Sequence, residues 1–276
     1  MENRDIVYIL WTGGWDSTFR ILQLAEKDII VQPIYIYSDR GGAVNELKSI
    51  KQVICAVSDN KNFKAEVRNC IIFDKRVIMS EYEDKEIISA RERLTEKYNL
   101  GYQYDWFALL AKHLNKKLEV CVELSEHSKA HRTLNNEGKL IDIGDGRKII
   151  DIDNSSEDLI KVFDYAIFPT LQYSKVEMKR ISKEKGWYDI MKMTWFCHRP
   201  VNNKPCGNCN PCRDAMNEGM SFRMPLISKF RYYYYNASLK KFLTSIFSIK
   251  NEFENDKKYK IITILGFKIK ILKGEK

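Results

Sequence analysis

Two clusters in this chain have the residue types and spacing for chemistry. The first is Trp11-Thr12-Gly13-Gly14-Trp15-Asp16-Ser17-Thr18. Paired glycines let a backbone approach an anion closely and adopt positive φ. The Thr12 and Ser17 hydroxyls can donate to phosphate oxygens, and the Asp16 carboxylate can hold Mg²⁺. The second is Cys197, Cys206, Cys209 and Cys212, spaced C-x8-C-x2-C-x2-C in FCHRPVNNKPCGNCNPCRDA. Four thiolates this dense, with Gly207 and Pro211 shaping the turns, suit a tetrahedral metal site. The compact knuckle and the lack of further redox motifs favour Zn²⁺ over an iron–sulfur cluster. Four sulfurs fill the shell, so the expected metal is structural, with His198 as a substitute ligand. In a cytosolic chain these cysteines are not disulfides.

The flanking pattern positions the first cluster. Ile6 to Leu10 is a short apolar run rich in β-branched and aromatic residues, which predicts a buried strand. Thr12-Gly13-Gly14 breaks it, Asp16 and Ser17 are N-cap types, and Phe19, Leu22 and Ala25 follow at helical spacing. Strand, glycine loop and helix N-terminus together aim backbone amides and the helix dipole at one anion. This is not a Walker A loop, because no G-x-x-x-x-G-K-[ST] occurs. Ile29 to Tyr37 predicts a second strand, Ser38 to Gly42 a loop, and Asn45 to Val57 a helix. Such a pattern implies a doubly wound, mostly parallel α/β sheet covered on both faces, with ligands at the carboxyl ends of its strands. Ser38 and Arg40 then join the first cluster as candidate nucleotide contacts.

Further along, a third strand is expected within Ala65 to Phe73 and helices over Asp84 to Lys97 and around Trp106 to Leu114. A strand follows over Leu118 to Val122, with Cys121 as a buried, inert thiol; Cys55 and Cys70 also sit in apolar segments and read as structural. Residues 140–152 predict a hairpin turning at Gly144-Asp145-Gly146. Its G-x-G lacks the third glycine and following helix of a dinucleotide fingerprint. Ser174 and Glu177 form a capping box that sets Lys175 at a helix start, within reach of phosphates at the sheet edge.

With 276 residues, 44% of them hydrophobic, the chain can bury one core plus an appendage. A mean hydropathy of −0.41 and the lack of a long apolar run predict no transmembrane helix, and no signal peptide is visible. Cytoplasmic localisation is the expectation. The formal charge of +9 points to polyanion contact, discounted by the scatter of its lysines and by the thiolates of a metal site.

The loop resembles the S-G-G-x-D-S loop of the ATP pyrophosphatases (PP-loop enzymes), with Thr12 replacing the first Ser. T-G-G-x-D-S-T, then P-T-L-x-x-S-K-x-E, then T-W-F-C and C-G-N-C-x-x-C-R resemble the 7-cyano-7-deazaguanine synthase family. The match runs from about residue 5 to 220 and is weak between 60 and 165. The resemblance implies an adenine-nucleotide-hydrolase fold and a C–N ligase. ATP would activate a carboxylate such as 7-carboxy-7-deazaguanine as an acyl-adenylate, and ammonia would give an amide and then a nitrile. It also implies Asp16, Lys175 and Arg213 as catalytic groups. Tyr37 to Gly41 departs from the family's Y-G-Q-x-H, Asn99 to Trp106 departs from its P-G-R-N, and Glu46 falls near its downstream Glu. The activation chemistry is therefore better supported than the deazaguanine substrate.

The expected partition is 1–165, an ATP-binding α/β domain; 166–220, helical and zinc-knuckle; and 221–276, an extension beyond the family's usual end. In the extension, Phe230 to Tyr235 interleaves aromatics with charge. Leu239, Phe242, Leu243, Ile246 and Phe253 predict an amphipathic helix. Phe267, Ile269 and Ile271 alternate with Lys268 and Lys270 in a predicted hairpin. This extension would pack on the body, a second subunit in a homodimer, a membrane surface or another partner. No nucleic acid is required by the main reading. Its competitors are a paralogue using another acid, for example in surface-polysaccharide synthesis, a PP-loop tRNA-modifying enzyme, and a non-enzymatic nucleotide-binding module.

Overall fold

The protein is described by a computed structural model over residues 4–236, 246–254, 257–264 and 267–275. It divides into two compact units, Met1–His198 and Arg199–Lys276.

The first unit is a parallel sheet covered by helices, as the apolar runs predict. In chain order come β1 (Ile6–Leu10), α1 (Trp15–Ala25), β2 (Ile30–Tyr37), α2 (Ala43–Ser58), β3 (Glu66–Val67) and β4 (Ile71–Asp74). Then follow α3 (Lys75–Glu81), α4 (Lys85–Tyr98), α5 (Gln103–Leu114), β5 (Leu118–Glu119), α6 (Lys129–Glu137), β6 (Leu140–Asp142) and β7 (Lys148–Ile150). The unit closes with α7 (Glu157–Phe163), β8 (Ala166–Ile167), α8 (Lys175–Glu184) and α9 (Tyr188–Met191). The strand order is β3-β2-β1-β5-β8, with β4 also paired to β2, and every pairing in this sheet is parallel. The chain thus leaves β1 toward β2 first and returns later to β5 on the other side. In open parallel sheets such a reversal, here at the carboxyl ends of β1 and β5, is the position where ligands are commonly accommodated.

Pro33 sits inside the central strand β2, where a missing N–H normally breaks a ladder. Here the missing donor falls between the two partners on that edge, β3 at Ile30 and Val31 and β4 from Ile34 onward. The Gln32 side chain bridges the gap by donating to Asn69 O at 3.0 Å.

Helix α1 is buried along most of its length and packs against α2, α8 and α9. Phe19 meets Tyr173 and Trp187 edge-to-face at 5.4 and 6.1 Å. The next residue, Arg20, forks onto Glu119 of β5, Nε–Oε2 2.8 Å and Nη2–Oε1 2.7 Å, with both residues at most 3% exposed. Asp145, at the tip of the β6–β7 hairpin, lies 3.7 Å from Arg20 Nη2 and is paired with Lys27. Breaking a buried pair from one side strands a charge, so Arg20→Met is expected to cost about 3–5 kcal/mol. The double variant Arg20→Met/Glu119→Leu should recover most of that loss. Urea unfolding of the three proteins checks this; equal losses in the single and double variants would contradict it.

The second unit contains α10 (Asn210–Asn217) and α11 (Leu226–Asn236). Three antiparallel strands follow, β9 (Phe247–Glu254), β10 (Lys257–Ile264) and β11 (Phe267–Glu275), in the order β11-β10-β9. This corrects the expected helix reaching Phe253, since residues 247–254 are a strand. Their apolar residues recur every second position, with Phe247 and Ile249 registered against Ile264 and Ile262. Leu239, Phe242 and Leu243 lie outside the described residues. The predicted hairpin over β10 and β11 is present, with Ile262 opposite Ile269. Among the described residues, no helix is long and apolar enough to cross a membrane.

Candidate functional site

The loop after β1 is held from behind. Trp11 is fully buried, its N donating to Ile34 O (2.8 Å) and its Nε1 to Thr18 Oγ1 (3.0 Å). Gly13 has φ +68°, and a Cβ there would lie 2.8 Å from Glu46 O, so the position needs glycine twice over. Its carbonyl accepts from Trp195 N at 2.9 Å. Ser49 Oγ stands 3.2 Å from the same oxygen and 2.8 Å from Met193 O. The stretch before Cys197 is thereby strapped to the back of the loop, a partnership that no local sequence pattern announces.

Gly14, rather than Asp16 or Ser17, is the N-cap of α1, and no side chain caps the helix. Asp16 and Ser17 instead occupy its first turn. An eleven-residue helix therefore starts behind two glycines with no side-chain cap on its leading amides. A Cβ on Gly14 would fall 3.3 Å from Thr12 Oγ1 and 3.9 Å from Ser17 Oγ, so both hydroxyls flank the same spot. This is the chemistry of an anion cradle: amides, dipole and two hydroxyls converging at a strand end.

At the end of β2, Ser38 is buried and accepts from Arg40 Nε at 2.9 Å, while Arg40 Nη1 lies 3.4 Å from His198 Nε2. His198 thus faces the guanidinium of the second loop. Gly42 lets the Cys197 segment close in, since a Cβ there would stand 2.4 Å from Cys197 O. Behind these loops the buried Tyr35 hydroxyl donates to Glu46 Oε2 at 2.7 Å. Burial, reinforced by that carboxylate, drives the phenol pKa up.

After β8, Ser174 and Glu177 form the capping box read from the sequence, which fixes Lys175 at the first turn of α8. Lys175 Nζ is 3.2 Å from Glu123 Oε1, a partner that sequence reasoning missed. Tyr104 was also missed. Burial pushes its hydroxyl pKa up, and the charges of both Glu123 and Asp16 act on it in the same direction. Glu123 and Asp16 thus both bear on Tyr104, and Glu123 is also the partner of Lys175. Arg213 lies on α10 in the second unit, exposed, donating to Asn210 Oδ1 at 2.8 Å.

Cys121 stands just beyond β5, half-buried, and burial raises its thiol pKa well above the ordinary range. Cys70 is likewise half-buried, its thiol pushed by burial from 9.0 up to about 12. Cys55 is exposed on α2, which corrects its reading as a structural thiol. For Cys70 the shift leaves about a thousandfold less thiolate at neutral pH. Its protonated form favours the fold below pH 9, and that contribution is lost as pH rises toward 12. With the four-cysteine cluster metal-loaded, iodoacetamide should modify Cys55 first and leave Cys70 and Cys121 behind. Mass spectrometry of the alkylated peptides checks the order, and Cys121 labelling as fast as Cys55 would overturn it.

Cys197, Cys206, Cys209 and Cys212 bring their sulfurs within 4.8 Å of one another. Cys206 and Cys212 Sγ are 3.9 Å apart, close to the ~3.8 Å edge of a tetrahedron with ~2.3 Å metal–sulfur bonds. Asn208 N and Cys209 N point at Cys206 Sγ from 3.3 and 3.2 Å, as suits a thiolate. Gly207, φ +85°, permits the turn; a Cβ there would lie 2.3 Å from Ser228 O of α11. The donor set fits a closed, four-sulfur metal site.

No family model matches the chain, and no curated protein matches it in sequence. Among solved structures it is similar to a 4-thiouridine synthetase–RNA complex with bound ATP. The likeness is 12% identical with a TM-score of 0.37, and covers 83% of this chain but 53%, about half, of that protein. A likeness at that level carries nothing about family or activity.

Proposed function

We propose that this chain is an ATP-dependent, PP-loop-type enzyme that adenylates a substrate carboxylate and passes the acyl group to ammonia. The observation that carries this reading is the helix start at Gly14, without a side-chain cap and with Thr12 and Ser17 hydroxyls on either side. Pyrophosphate is the anion such a cradle suits. The acid's oxygen attacks the α-phosphorus, the bond to the bridging oxygen breaks, and its electron pair leaves with pyrophosphate into the loop. Amides and hydroxyls there meet charge as it develops, where preorganised donors count most. Asp16 would hold Mg²⁺, which supplies neutralisation of phosphate charge when bound. Lys175 would exchange Glu123 for a phosphate oxygen. Ammonia then attacks the acyl carbon and displaces AMP. The four cysteines would hold Zn²⁺ as a structural ion.

The sequence resemblance suggests 7-carboxy-7-deazaguanine as the acid, with another small carboxylic acid in a paralogue as the alternative. The test is release of AMP and pyrophosphate from Mg-ATP and ammonia against a panel of acids. Acid-dependent AMP is expected; its absence across the panel would sink the carboxylate reading. The tRNA-modifying alternative would use Cys121, one strand from the loop, as a sulfur carrier. Burial opposes the thiolate it needs. Replacing Cys55, Cys70 and Cys121 together by Ser should leave AMP formation intact; its loss would favour that alternative.

A further inference from the structure

The three-stranded sheet of the second unit ends in two edges, β9 and β11, and among the described residues neither pairs on its outer side. Such an edge offers a row of N–H and C=O groups to any strand that reaches it, so proteins guard edges with lysines, bulges or prolines. β11 is guarded in this way. Lys268, Lys270 and Lys273 are exposed along it. Lys273 is also the extra residue of a bulge, because the adjacent Lys258 and Tyr259 of β10 face Gly274 and Leu272. Antiparallel self-pairing of β11 about Ile269 or Lys270 would set lysine against lysine. β9 has no such guard. Its eight residues, FSIKNEFE, include no proline or glycine and run in unbroken register with β10. Its exposed centre, Lys250-Asn251-Glu252, carries one charge of each sign.

Those charges select both a partner and a register. Two copies of one strand related by a two-fold axis run antiparallel, and side chains directly opposite each other share a face of the sheet. With Asn251 on the axis, Lys250 of each copy faces Glu252 of the other, giving two opposite-charge pairs. With Lys250 or Glu252 on the axis instead, like charges meet. Asn251 shares its face with Ile249, which is registered on Ile262, so Lys250 and Glu252 project from the other face. The ion pairs would therefore form away from the apolar face, where Phe247, Ile249, Ile264, Ile269 and Ile271 are 42–55% exposed.

We propose that β9 is a dimerisation edge: two copies of the chain pair antiparallel about Asn251 and join their sheets into one of six strands. The occupant is a second copy because Lys250 and Glu252 make this edge complementary to itself, whereas an anionic surface would attract the first and repel the second. The inference goes beyond the nucleotide-loop reading and does not depend on it, since association is measured without ATP. Sedimentation velocity of the full, metal-loaded chain over about 5–200 µM tests it. An edge this short buries less than a standard interface, so a monomer–dimer equilibrium in the micromolar range is expected. Lys250→Glu and Glu252→Lys should each weaken dimerisation at least about tenfold, because the axis doubles every substitution and each turns attraction into repulsion. Lys250→Glu/Glu252→Lys should restore it, and an equimolar mixture of the two single variants should form a heterodimer. In a Cys55→Ser background, a short bismaleimide should join Asn251→Cys chains across the axis and leave Lys268→Cys chains single. Circular dichroism establishes that each variant is folded; if a single variant is not, the double variant and the Asn251→Cys cross-link decide. A chain monomeric at about 200 µM, or a dimer indifferent to both charge reversals, would overturn the proposal. So would a dimer that survives them but dissociates in Ile249→Lys/Ile269→Lys, which would mean stacked apolar faces.

Discussion

Cys206→Ser is expected to strip the metal from the four-cysteine cluster and to unfold the turn carrying it. Structural zinc sites of this kind contribute about 10–16 kcal/mol of apparent binding free energy at neutral pH, and in small modules that energy is folding energy. Cys206 is the ligand to watch, because its sulfur also collects the amides of Asn208 and Cys209. A serine oxygen replaces neither the soft ligand nor those contacts. Purified wild type should carry one Zn²⁺ per chain by elemental analysis, and Cys206→Ser essentially none, with loss of circular dichroism and rapid proteolysis after residue 199. Cys55→Ser, at an exposed thiol outside the cluster, should behave as wild type. Since thiolates bind the metal, release by chelator should quicken as pH falls. A stable chain without metal, or visible absorbance from bound iron and sulfide, would contradict the assignment.

The second large effect is at Gly14. Its φ of −78° and ψ of 174° are open to any residue, so alanine there carries no backbone strain. The added methyl would stand 3.3 Å from Thr12 Oγ1, in the place the cradle reserves for an anion. If the two glycines served only a tight strand-to-helix turn, Gly14→Ala would be silent. On the present account it keeps the melting temperature within a few degrees and weakens nucleotide-dependent turnover by about a hundredfold or more, the scale of losing one oxyanion contact. Gly13→Ala differs in kind, because positive φ and the Glu46 carbonyl 2.8 Å away make it destabilise the fold itself. Asp16→Asn should lose a comparable factor in turnover without that cost to folding. Turnover and thermal melts on the three variants separate these outcomes.

Much of this architecture is written in local pattern. Ile6 to Leu10 is apolar throughout and stops at two glycines, which is enough to place a strand, a loop and a helix start. Ser174 and Glu177 define their capping box from four adjacent residues, and the cysteine spacing implies its own cluster. Contacts distant in sequence leave no such trace. Arg20 and Glu119 are 99 positions apart, Lys175 and Glu123 52, and Ser49 and Met193 144, so their pairing appears only once the sheet is assembled. The N-cap was assigned to polar residues because Asp and Ser favour that position, yet Gly14 takes it and leaves the helix start without a side-chain cap. The tail misled for another reason. Phe247, Ile249, Ile262 and Ile264 recur at a period of two, but apolar residues just before them at helical spacing extended the helix too far.

The central claim is that the loop from Thr12 to Ser17 grips the phosphates of ATP. Titration calorimetry of wild type and Gly14→Ala with Mg²⁺ and α,β-methylene-ATP tests it most directly, free of any assumption about the acid. Wild type should give heat and one site, and an equally folded Gly14→Ala should bind at least about tenfold more weakly. No heat from wild type, or identical isotherms from the two proteins, would contradict it.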